Sequence, residues 1–133
     1  MSRKTEKETA KETTTDVTFG KVICNAKHTV RTQEIEKTAP SWHMVEECLW
    51  NMFEDADEFV VLTVGDARYH IRFIQAAQIA EGITVQLGIE EGEHTRLVEK
   101  TCSEDECMEI FQRFYDSSQV QDVERYTPVE FYR

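Results

Sequence analysis

A chain of 133 residues, 40% hydrophobic and 10% aromatic, can bury one core but not two. Its net charge of −11 argues against a nucleic-acid partner, because such a surface repels phosphate backbones. No stretch approaches the ~20 apolar residues of a membrane-spanning helix.

The excess acid is not spread evenly. Residues 1–16 set Arg3, Lys4, Lys7 and Lys11 against Glu6, Glu8, Glu12 and Asp16, so they balance. Residues 17–133 therefore carry all of the excess. Between Lys37 and Arg68 there is no lysine or arginine, and the interval holds Glu46, Glu47, Glu54, Asp55, Asp57, Glu58 and Asp66. A surface of this kind attracts basic partners and speeds their encounter at low salt.

Residues 1–16 lack bulky apolar side chains beyond Met1, so they are expected to be a disordered polar tail. They also lack the apolar centre of a secretory signal, which leads to a cytoplasmic expectation. Residues 17–133 are expected to form a single α+β domain. It opens with a strand over 17–24 (VTFGKVIC), bent at Gly20. A more polar extended segment over 28–38 follows.

Ala39-Pro40-Ser41 marks a helix start, with Ser41 as the cap. The helix runs to about Asp55. Trp42, Met44, Val45, Cys48, Leu49, Met52 and Phe53 share one broad side of it, and His43, Glu47 and Glu54 the other. Trp50 lies off the apolar stripe, near His43 and Glu46. Strands are then expected at Glu58–Val64, Tyr69–Ala80, Ile83–Ile89 and His94–Lys100, separated by glycine turns. In the second of these, Tyr69, Ile71 and Phe73 should face the core, and His70 and Arg72 water. Ser103-Glu104-Asp105-Glu106 reads as a capping box. It opens a helix to about Asp116, with Cys107, Ile110, Phe111 and Phe114 buried and Met108 and Tyr115 at the margins. After it, Pro128 rules out a further helix, and Tyr126, Val129, Phe131 and Tyr132 make an aromatic tail. The predicted fold is an antiparallel β-meander of four to five strands flanked by two amphipathic helices, because short turns make antiparallel neighbours.

Residues that could carry chemistry are scattered. Cys24-x3-His28 matches zinc-ligand spacing only loosely, and His43 with Cys48 and Cys102 with Cys107 do not match it, so no metal is assigned. No cofactor is assigned either: the five glycines form no phosphate-binding pattern. The four histidines all read as surface residues, none beside a nucleophile. The four cysteines read as free thiols, with Cys48 and Cys107 on buried helix faces. No catalytic residue is assigned.

Binding features are stronger. Trp50, ringed by His43, Glu46, Glu47 and Glu54, is a candidate contact anchor, since tryptophan and tyrosine are the usual anchors of interfaces. Tyr126, Phe131 and Tyr132 form a second candidate. A sheet face carrying Arg72, Gln75, Gln78, Thr84 and Gln86 is a third. Two rival arrangements are a ligand pocket between sheet and helix lined by Tyr69, His70 and Phe73, and a homodimer formed through the sheet or an edge strand.

The helix at 41–55, the meander at 58–100 and the closing helix at 103–116 resemble the type III secretion chaperone-like superfamily. That resemblance implies a small acidic cytoplasmic α+β protein, commonly dimeric, that binds other proteins without catalytic residues. Immunity proteins that neutralise bacterial toxins are similar in size, charge and fold class. Both resemblances imply a protein partner, such as a toxin or secreted effector.

Overall fold

The computed structural model describes residues 28–65 and 70–129. The predicted tail over 1–16 and strand over 17–24, together with Tyr69, Phe131 and Tyr132, lie outside the described residues. Within them the protein is α+β, with one antiparallel sheet of seven strands and two helices. In chain order these are β1 (His28–Arg31), β2 (Glu36–Thr38), α1 (Trp42–Glu54), β3 (Phe59–Val64), β4 (Ile71–Ile79), β5 (Gly82–Glu91), β6 (His94–Cys102), α2 (Glu104–Ser117), a single 3-10 turn (Val123–Arg125) and β7 (Thr127–Pro128). The order across the sheet is β2-β1-β3-β4-β5-β6-β7. No helix among the described residues is long and apolar enough to cross a membrane.

The predicted four to five strands undercount the sheet. The four apolar strands of the meander are present as expected, and the extra members sit at its two edges. Residues 28–38 fold into a hairpin, with Thr29 opposite Thr38 and Arg31 opposite Glu36. β2 is exposed along its whole length and so carries no alternation to read. β7 has two residues, pairing Thr127 with Glu99 and Pro128 with Val98. Proline is tolerated there because an edge strand leaves one row of N–H positions unpaired.

Both helices cover one face of the sheet. Val45, Cys48, Leu49 and Met52 of α1 and Cys107, Phe111 and Phe114 of α2 pack against Val60, Leu62, Val64, Ile74, Val85 and Leu87. Ser41 caps α1 by accepting from the Met44 N–H at 3.1 Å. Ser103 does the same for Glu106 at 3.1 Å. The second half of the expected capping box is replaced. The Glu106 carboxylate takes the Lys100 ammonium at 2.5 Å, because β6 delivers a cation beside the first turn of α2. The Tyr115 hydroxyl donates to the Pro40 carbonyl at 2.7 Å, tying the end of α2 to the start of α1.

A β-bulge between Ile71 and Phe73 changes the register of β4. Ile71, Ile74 and Ala76 face the helices. Phe73 is turned to the opposite face, where its ring covers Gly88 so closely that a β-carbon there would overlap it. The sequence pattern puts Ile71 and Phe73 on one side, and the bulged residue breaks that alternation.

Candidate functional site

Helix α1 presents one face to the core and the other to solvent. Along the solvent side, His43, Glu47, Trp50 and Glu54 follow at steps of four, three and four, which is one helical stripe. Trp50 is 50% exposed, the most exposed of the large hydrophobic residues described. Phe53 braces it edge-on, with ring centroids 5.5 Å apart. Because Phe53 is itself packed against the core, the indole is held rather than free to fold away. Two turns earlier, His43 Nδ1 lies 3.9 Å from the Glu46 carboxylate and Nε2 lies 3.6 Å from that of Glu47. The structure therefore brings His43, Glu46, Glu47, Trp50 and Glu54 together on one helix.

The acid at the end of this helix is placed against its own dipole. Negative side chains are disfavoured near a helix C-terminus, yet α1 ends in Glu54 and Asp55 with no basic residue in its last turn. Some of this is structural. Glu58 accepts from the Gln33 and Phe59 N–H groups at 2.8 and 3.0 Å, and Asp55 accepts from Asp57 at 3.0 Å. The last carbonyls of α1 are relieved by Gln78, whose amide donates to Met52 at 2.7 Å and Phe53 at 2.8 Å. Gln78 thus belongs to the helix side and not to the outer sheet face assigned to it from sequence. On the outer face, Gln75 and Gln86 join a ladder. Gln75 donates to Gln86 at 2.6 Å, and Gln86 donates to Glu99 at 3.0 Å. Arg72 is engaged by Glu90 through two of its nitrogens.

Of the aromatic tail, Tyr126 is 6% exposed and joins the core, with Lys100 Nζ 5.4 Å from its ring centre. It is a packing residue, not a surface one. Of the residues expected to line a pocket between sheet and helix, Tyr69 lies outside the described residues and the other two do not face the helices. Phe73 faces away from the helices, and His70 is exposed at a positive φ of 71°.

Among the described residues, no three His, Cys, Asp or Glu side chains gather as a metal site. His43 is exposed whereas Cys48 is buried, so that pair is separated. Burial pushes the Cys48 thiol up, and Glu47 and Glu58 add to the shift. It therefore stays protonated and unreactive near neutral pH.

His28 is the residue that sequence reading misplaced most. It is 1% exposed, and among the described residues neither ring nitrogen makes a hydrogen bond of good geometry. Its ring lies 5.3 Å from that of Tyr115 and 5.8 Å from that of Phe114. The missed signal is the period of two. His28 and Val30 share the inward side of β1, and Thr29 and Arg31 the outward side. Burial lowers the His28 pKa, and the Phe114 backbone opposes this only in part. The folded pKa therefore lies below the unfolded value of about 6.5. Above that pH both states are neutral at this ring. Below it the unfolded chain binds a proton first, and stability falls by up to about 1.4 kcal/mol per pH unit until the folded pKa is reached. Between pH 7.5 and 5.5 the urea midpoint should therefore drop further for the natural chain than for His28→Phe. Equal drops would remove His28 as the source.

No protein-family model matches this chain, and neither a curated protein nor a solved structure does.

Proposed function

We propose that the chain is a non-enzymatic binding protein, chaperone-like or immunity-like, that holds a basic protein partner on the exposed face of α1 in the cytoplasm. The observation that carries this is the half-exposed Trp50, braced by Phe53 and set among acidic side chains. A large aromatic ring held rigid loses little conformational freedom when it is covered. Its neighbours Glu46, Glu47 and Glu54 steer a cationic surface toward it. Placing Glu54 at the C-terminal end of α1 costs stability, and such local conflicts concentrate at functional surfaces. The partner is blocked by occupation: charge sets the encounter, and the indole fixes the contact.

Immobilised chain exposed to extract of the source cell tests this reading. Discrete basic proteins should be retained at low salt and lost at high salt, as rim charges screen over about 8–10 Å. The Glu46→Gln, Glu47→Gln, Glu54→Gln triple variant should retain at least about tenfold less, with the salt dependence flattened. Equal retention by natural chain and triple variant would rule out acidic steering.

A further inference from the structure

We propose that Cys102 and Cys107 are a reversible redox pair, oxidised by a low-molecular-weight disulfide to an internal disulfide that ties the start of α2 to the end of β6. The placement follows from the helix cap. Ser103 is the N-cap of α2, so Cys102 stands just before the cap and Cys107 is the fourth helical residue. Side chains at these two positions pack on each other in the hydrophobic staple. Here both staple residues are thiols. They lie close enough for each to shift the other's pKa, and both are held in the core. β6 fixes one partner, since Cys102 pairs with Ile83. The capped first turn fixes the other.

The two thiols are not equivalent. Cys102 is 8% exposed and Cys107 0% exposed, so attack begins at Cys102. The neighbouring Cys107 side chain, with Lys100 assisting, lowers the Cys102 pKa against burial and Glu106. The neighbouring Cys102 side chain and burial raise that of Cys107. The Cys102 thiolate attacks one sulfur of the small disulfide. That S–S bond breaks, a mixed disulfide forms on Cys102, and the first small thiolate leaves and takes up a proton. Cys102 no longer holds a negative charge beside Cys107, which removes one cause of its raised pKa. Cys107 attacks the Cys102 sulfur, and its proton passes to the second small thiolate as that group is expelled. Two protein thiols are oxidised by two electrons, and one disulfide is reduced to two thiols. Excess small thiol runs the sequence backwards.

The full chain carrying Cys24→Ser and Cys48→Ser is equilibrated against graded mixtures of oxidised and reduced glutathione. It is then acid-quenched, and read by intact mass and peptide mapping. The folded chain should lose two hydrogens and yield a peptide cross-linked between Cys102 and Cys107. Half-oxidation should need about tenfold less oxidised glutathione, relative to reduced, than in the guanidinium-unfolded chain, because the fold raises the effective concentration of the pair. Adding Cys107→Ser should stop the reaction at a glutathione adduct on Cys102. If the serine background fails to fold, the same series on the natural chain, read by peptide mapping, separates the same outcomes. A folded chain that stays dithiol throughout, or links no more readily than the unfolded one, overturns the proposal.

Discussion

Phe114→Ala should lower the unfolding free energy by about 3–5 kcal/mol, a large share of the roughly 5–15 kcal/mol that a domain of this size holds. Phe114 is fully buried, in the core shared by α2, α1 and the sheet. Its ring also packs at right angles to that of the buried His28, with centroids 5.8 Å apart. Truncation leaves a cavity next to the buried His28 ring. Gln112→Ala, two residues earlier and exposed, should change stability by less than about 0.5 kcal/mol. Urea denaturation of both variants checks the contrast. A Phe114→Ala chain as stable as Gln112→Ala would mean that α2 does not pack on the sheet through this side.

The fold was legible where apolar residues kept a regular period. Val45, Cys48, Leu49 and Met52 read as one helix face and are that face. Ile83, Val85, Leu87 and Ile89 read as an alternating strand and all point at the helices. Legibility failed where the period carried no apolar contrast or was broken. β2 consists of Glu36, Lys37 and Thr38, all exposed, so its pairing with β1 had no hydrophobic mark. The bulge before Phe73 shifts one residue of β4 and turns the ring outward, and no composition rule locates a bulge in advance. Tyr126 looked available in a tail that in fact returns to the sheet as β7. The α1 surface was legible because Trp50 is out of phase with the core stripe. Its bracing by Phe53 was not, since that depends on rotamers rather than spacing.

Trp50→Ala should separate binding from folding. The indole is 50% exposed and its chief described contact is the edge of Phe53. Removing it should cost the isolated chain no more than about 1 kcal/mol, the scale of one aromatic pair. An interface anchor costs at least about 2 kcal/mol when truncated, or about thirtyfold in affinity. Leu49→Ala, one residue away and fully buried, should do the reverse and destabilise the fold by about 2–5 kcal/mol. Titration of the retained partner against both variants, beside their urea curves, reads the two effects separately.

The claim that α1 carries the partner is tested most directly by placing a photo-reactive amino acid at single positions and cross-linking in the source cell. Position 50 should give a discrete protein adduct that disappears in the Glu46, Glu47, Glu54 to Gln background. Position 84, on the outer face of the sheet, should give none. An adduct at position 84 with none at position 50 would contradict the account and move the binding surface to the other side of the sheet.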